Sequence, residues 1–175
     1  MDDANRFAAP RTTVADVDSD AVQPVRFWPP RGRIGRLRFL AYGLGLYVLF
    51  IVAAFGFGFL SALVGRDSAL TTALAVLGFL AYLFAAAVLI VQRSHDMNMS
   101  GWWSIAAMVP IVGLVWVFKS GTRGANRWGP PPPPNGVAVT VFGLLMPVIV
   151  GIGIVAAVAL PAYQQYATRA AGSPR

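Results

Sequence analysis

The chain has 175 residues, of which 57% are hydrophobic and only 12% are charged, and its formal net charge is +7. A soluble domain carries about 25% charged residues and could not hide this much apolar surface from water. The composition therefore argues against a soluble enzyme and predicts an all-α membrane protein.

Cysteine is absent, which excludes disulfide bonds, thiolate metal ligands and a cysteine nucleophile. Arginines crowd the start of the first long apolar run, whereas Lys119 is the only lysine. This placement is typical of the positive-inside rule, which keeps such a flank in the cytoplasm. We therefore expect a multi-pass protein of a bacterial inner (plasma) membrane, with a cytoplasmic N-terminus and no nucleic-acid partner.

The chain begins with a polar segment and two uncharged runs. Residues 1–30 are polar, aperiodic and rich in aspartate near their start, and they predict a disordered cytoplasmic tail. Residues 39–64 and 69–91 contain no charge and are each long enough to cross hydrocarbon. The four residues between them, 65–68, predict a tight turn, so the two runs form a helical hairpin.

The third apolar run, residues 102–118, is short and carries Pro110 near its middle. One interpretation is a short, kinked span whose freed carbonyl is satisfied by neighbouring helices. The other is a re-entrant hairpin that turns at Pro110 and returns to the cytoplasmic side. The span places ten Lys and Arg residues inside and four outside, and the hairpin places eleven and three. Length and hydrophobicity favour the span.

A polyproline linker, residues 131–136, precedes the fourth apolar run at 137–160. Polyproline is stiff and extended, so the linker is predicted to be a spacer. The sequence thus predicts a polytopic helical bundle of about four transmembrane helices. It divides into the tail, a three-helix module at 31–130, the linker, and a fourth helix with a short tail at 137–175.

Polar motifs flank the first three runs. They are Gly32-Arg33-Ile34-Gly35-Arg36, then Arg93-Ser94-His95-Asp96 with Ser100-Gly101-Trp102-Trp103, then Gly121 and Gly124 through Asn126-Arg127-Trp128-Gly129-Pro130. Their order and placement over about residues 31–130 resemble the bacterial inner-membrane family called domain of unknown function 805, which includes the YhaH-type proteins. The resemblance implies the architecture and implies no reaction.

A second resemblance covers residues 150–170. This segment, which contains the sequence ALPAYQ, is similar to the first helix of type IV pilins. The processing site of pilins is missing, and Leu144 stands where a pilin has its buried glutamate. The resemblance implies a pilin-like helix that runs outward from the cytoplasm, which suits the re-entrant alternative.

The polar motifs offer little for catalysis. His95, Asp96 and Ser100 supply the groups of a hydrolase triad, but groups this close in sequence rarely adopt that geometry. As metal ligands, His95 and Asp96 lack the further partners that a site needs. The apolar runs hold no ionisable residue, which weakens a proton relay or an ion pathway. We predict no enzyme activity, no metal and no cofactor.

The motifs have simpler roles in a membrane protein. Arg33, Arg36 and Arg38 can bind anionic headgroups, and Ser100 can cap the helix that follows it. Tryptophans at the ends of the runs are predicted interfacial anchors. The sequence therefore favours a non-enzymatic membrane scaffold or partner-binding subunit, with a small oligomeric transporter or channel component as the alternative. The candidate family-motif or headgroup contacts are Arg33, Arg36, Arg93, His95, Asp96, Ser100, Gly101, Trp102, Trp103, Asn126, Arg127 and Gly129.

Overall fold

The computed structural model describes residues 21–64 and 69–171. Its helices are α1 (Arg36–Val64), α2 (Ala69–Asp96), a 3-10 helix (Gly101–Met108), α3 (Pro110–Phe118) and α4 (Val137–Ala171). Three of them, α1, α2 and α4, are long and apolar enough to cross a membrane. The predicted all-α polytopic fold is confirmed, while the predicted turn at 65–68 lies outside the described residues.

Helices α1 and α2 form the predicted antiparallel hairpin. Phe50, in the middle of α1, packs against Tyr82 of α2 with ring centroids 4.5 Å apart. Just before α1 begins, the Ile34 amide donates to the Gln92 carbonyl near the end of α2. The start of α1 therefore lies beside the end of α2. Most apolar side chains of both helices are exposed, as expected of surfaces that face lipid.

Helix α4 runs parallel to α1. A Cβ built on Gly143 would lie 2.5 Å from the Leu37 carbonyl oxygen, so only glycine allows this close approach of the two backbones. Arg38 donates to the carbonyls of Pro133 and Pro134, at 3.3 and 3.2 Å. The predicted spacer is thus fastened to the start of α1.

The third apolar run forms two short helices instead of one. The residue before a proline is disfavoured in helical geometry, and Val109 is extended, with φ −80° and ψ 117°. Pro110 then occupies the first turn of α3, where its missing N–H costs nothing. The 3-10 helix and α3, the two limbs of this segment, pack on each other. A Cβ on Gly113 would lie 2.8 Å from the Ala107 carbonyl oxygen.

Both ends of this folded-back segment, residues 101–118, lie beside the end of α2. Gly101 packs against Val91 and His95, and Arg93 donates to the carbonyl of Trp116 at 2.9 Å. Each limb is at most about 16 Å long, roughly half the thickness of bilayer hydrocarbon. The re-entrant alternative describes this geometry, whereas a single kinked span does not.

The described part of the predicted disordered tail is held in place by the bundle. Residues 21–30 do not form a disordered tail, because Gln92 donates to the carbonyls of Arg26 and Phe27. Residues 1–20 lie outside the described residues. Helix α4 continues through Pro161 to Ala171, so the segment after the fourth apolar run is helical as far as the structure describes it.

Candidate functional site

A buried ion cluster joins the start of α1 to the end of α2. The two carboxylate oxygens of Asp96 bind different arginines, Arg33 at 3.2 Å and Arg93 at 2.6 Å. Both guanidinium groups are fully buried. We call these three side chains the arginine–aspartate cluster. Together they carry one net positive charge in the protein interior. Such a charge needs compensation from neighbouring dipoles.

Carbonyls at the end of α3 supply part of that compensation by accepting hydrogen bonds from Arg93. Its Nε donates to the carbonyl of Trp116, and Nη2 makes a short contact with the carbonyl of Lys119. The last carbonyls of a helix have no partner within the helix and bear partial negative charge, so an arginine there is stabilised and stabilises the helix end. Arg93 thereby holds the end of the folded-back segment beside α2.

Arg33 binds the loop that follows α3, residues 119–130, which we call the exit loop. Its two terminal nitrogens donate to the carbonyls of Thr122, Gly124 and Gly129 at 2.7 to 2.9 Å. A planar guanidinium with several donors suits this task better than a lysine would. Arg33 therefore fixes the path of the exit loop from within.

The exit loop also meets Asp96 directly. The Thr122 amide donates to the Asp96 carbonyl at 2.8 Å, and the backbone of Gly121 passes so close that a Cβ there would overlap the carboxylate. Gly124, three residues on, has open space around its Cβ position. The two glycines of the motif thus have different roles, and only Gly121 is required by packing.

We expect Gly121→Ala to destabilise the protein by about 2–3 kcal/mol, because the methyl group must displace a carboxylate that two arginines hold. The thermal unfolding midpoint in detergent, together with protein abundance, measures this effect. Gly124→Ala is the matched control and should change stability by less than about 0.5 kcal/mol. Equal effects at the two positions would contradict the described path of the loop.

A tight turn at Asn126–Gly129 completes the polar end of the bundle. Asn126 and Gly129 exchange both backbone hydrogen bonds, and Gly129 has φ +110°, which favours glycine. The Asn126 side chain donates to the His95 carbonyl at 2.9 Å and accepts from the Trp128 amide. Trp128 stacks on the His95 ring, with centroids 3.7 Å apart.

Ser94 and Trp116 form a second buried contact between α2 and α3. The Trp116 indole N–H donates to the Ser94 hydroxyl at 2.8 Å, and that hydroxyl donates to the Ile90 carbonyl. Trp116 is 2% exposed, so the prediction that it anchors the chain at the membrane interface is wrong. The pairing of a buried indole with a serine one helix away has no signal in the sequence.

The geometry does not form a hydrolase triad. Asp96 binds two arginines, the His95 ring stacks on Trp128, and the Ser100 hydroxyl accepts from the Trp102 amide. The last contact is the helix cap that we predicted. Within residues 21–64 and 69–171, no group of three or more His, Cys, Asp or Glu side chains could hold a metal ion.

A family model described as "Protein of unknown function (DUF805)" matches residues 27–130. Inner membrane protein YhaH of Escherichia coli K12 is 32% identical over 107 residues, which are 56% of this chain and 84% of that protein. The chain belongs to the DUF805 family. Inner membrane protein YhaI of the same strain is 36% identical over 63 residues, 34% of this chain and 53% of the relative. No solved structure matches.

Membership of the DUF805 family agrees with the resemblance seen in the sequence. Together with three long apolar helices, it identifies a multi-pass inner-membrane protein. The matched region ends at the exit loop, so α4 follows the family region and still packs against its first helix. The pilin-like character of α4 stays a prediction.

The family-motif residues divide into buried and exposed sets. Headgroup contact was one predicted role for the whole set, and it does not apply to residues that the protein encloses. Arg38, for which headgroup binding was also predicted, is buried and binds carbonyls of the linker instead. Its only sequence signal was its place one residue before an apolar run. Arg33, Arg93, His95 and Asp96 are buried, Gly101, Asn126, Gly129 and Ser100 are partly buried, and Arg36, Trp102, Trp103 and Arg127 are exposed.

Proposed function

We propose that this DUF805 protein is a non-enzymatic membrane scaffold that binds a protein partner through its exit loop. One observation carries the proposal. The polar groups that could do chemistry are used to hold the loop, as Arg33 and Asp96 bind its backbone and each other. An enzyme needs such groups to face a substrate.

The exit loop has the properties of a binding surface. Its backbone is fixed from inside by Arg33 and Asn126, so little conformational entropy is lost when a partner binds. Its outer face carries the exposed cations Arg123 and Arg127. Exposed arginine is among the residues that commonly dominate binding energy at interfaces.

Site-specific crosslinking in membranes tests this proposal. Because the chain has no cysteine, Arg123→Cys places a single photo-crosslinker on the exit loop. We expect one defined protein adduct, and Arg127→Glu in the same chain should reduce it at least fivefold. Leu77→Cys, on the exposed face of α2, is the control and should not give that adduct. An adduct equally strong from both positions, or unaffected by Arg127→Glu, would contradict the proposal.

One observation favours the second candidate, a small oligomeric transporter or channel component. Short helices that meet at an extended residue, as at Val109, occur at membrane depth where they are enclosed by protein or line a cavity. The purified protein would then form a stable homo-oligomer and move a solute across liposomes. Flux without any protein adduct at Arg123→Cys would favour this candidate over the scaffold.

A further inference from the structure

An apolar groove opens between α1, α3 and α4. Its volume is about 550 Å³, within the range of small-molecule sites. Phe39 and Phe118 lie at the end near the exit loop, and Ile154 lies at the far end. The wall that α4 contributes, from Met146 to Ile154, is about 12 Å long.

Two glycines, which have no side chains, leave open space in the groove and form a slot there. Gly43 of α1 and Gly151 of α4 line it, and a Cβ at either position would meet nothing within 4 Å. The slot is lined almost wholly by hydrocarbon, and the open space at these glycines leaves room for a flexible chain. A polar ligand alone would find few hydrogen-bonding groups along it.

The end of the groove beside the exit loop is positively charged. Arg36 lies one turn before Phe39 and is exposed, and its Nη1 donates to the Phe118 carbonyl at 3.1 Å. Lys119 follows Phe118 directly and is also exposed. Two cations therefore lie at the same end of an apolar slot.

No carboxylate of the described chain neutralises these cations. Asp96 is the one acidic residue within residues 21–64 and 69–171, and both its oxygens are bound by Arg33 and Arg93. An anion from outside the chain can occupy the charged end. The combination of a charged end and an apolar slot fits a molecule with a phosphate and an acyl chain.

We propose that this groove binds one anionic phospholipid, with an acyl chain between α1 and α4 and the phosphate on Arg36 and Lys119. Lys119 is the first residue of the exit loop, but the site does not include Arg123 or Arg127 on the outer face of that loop. Its occupancy does not require the scaffold function. Headgroup attraction to arginine and lysine selects anionic lipids, and the slot separates this lipid from those that cover the remaining exposed helix faces.

Native mass spectrometry of the detergent-purified full chain tests the site, with phosphatidylglycerol and phosphatidylcholine as probes. We expect phosphatidylglycerol to bind at least tenfold more tightly, and Arg36→Gln with Lys119→Gln to remove that preference. Arg123→Gln, an exposed cation of the exit loop, is the control and should keep it.

Filling the slot tests the acyl chain separately. Gly151→Leu and Gly43→Leu each place a side chain in the groove, and each should reduce bound phosphatidylglycerol at least fivefold. Gly153→Leu, on α4 but outside the groove lining, should not. Equal binding of both lipids to the wild type, or unchanged binding in both slot-filling variants, would overturn the proposal. The thermal midpoint of each variant, measured alongside, shows whether its fold is retained.

Discussion

Cysteines introduced at Asn98 and Ser120 will be labelled from the same face of the membrane, and one introduced at Thr168 from the opposite face. The cysteine-free chain makes each label specific. A membrane-impermeant maleimide applied to intact spheroplasts and to inverted vesicles measures the side. Each cysteine is either accessible from a given face or not, so the expected difference between the two preparations is all or none.

The physical reason is the path of the chain after α2. The folded-back segment leaves and returns beside the arginine–aspartate cluster, so Asn98 and the exit loop share one end of the bundle. Helix α4 then starts at that end and runs parallel to α1. We therefore expect three long helices to cross the membrane, and the positive-inside rule predicts that the end with eleven Lys and Arg residues faces the cytoplasm.

Labelling of Asn98→Cys and Ser120→Cys from opposite faces would contradict this topology. It would show that residues 102–118 cross the membrane, with Thr168 on the same side as Asn98. Detergent-solubilised protein, in which all three cysteines should react, controls for residues that are merely unreactive.

Asp96→Asn will cost about 3–5 kcal/mol of stability, because it leaves the guanidinium groups of Arg33 and Arg93 buried without a counter-ion. Asparagine keeps the size of the side chain, so the loss measures charge and hydrogen bonding instead of packing. The thermal unfolding midpoint in detergent and the abundance of the protein in membranes should both fall.

Arg127→Gln provides the control for this loss. Arg127 is exposed and donates to the Asn98 carbonyl at 3.0 Å, so its replacement should cost less than about 1 kcal/mol. If Asp96→Asn unfolded at the wild-type temperature, the arginine–aspartate cluster would not stabilise the bundle as we expect. Loss of a cellular phenotype at unchanged stability would point to chemistry at Asp96.

The local features of the fold were predictable wherever hydrophobicity and length decide. Residues 39–64 and 69–91 contain no charge, and both became long helices joined as an antiparallel pair. Pro110 was visible as the weak point of the third run. Whether the chain bends there or turns back depends on the partners of Trp116 and Lys119, which belong to another helix.

The residues of the site could be identified from the sequence, but the contacts that they make could not. The motifs include Arg33, Arg93 and Asp96. An arginine beside an apolar run is equally consistent with a headgroup contact. The deciding partners are backbone carbonyls of the exit loop, about 90 residues from Arg33. Every residue has a backbone carbonyl, so the amino-acid sequence does not indicate which carbonyls bind Arg33.

The sequence by itself determined that this protein lies in a membrane as helices, because transfer of uncharged runs into lipid depends on composition and length alone. Only the tertiary structure decided that the third run folds back and that α4 runs parallel to α1. These features depend on a buried carboxylate that satisfies two arginines and on Gly143 meeting the backbone of Leu37. Both are contacts between residues far apart in the chain, and only the folded chain brings them together.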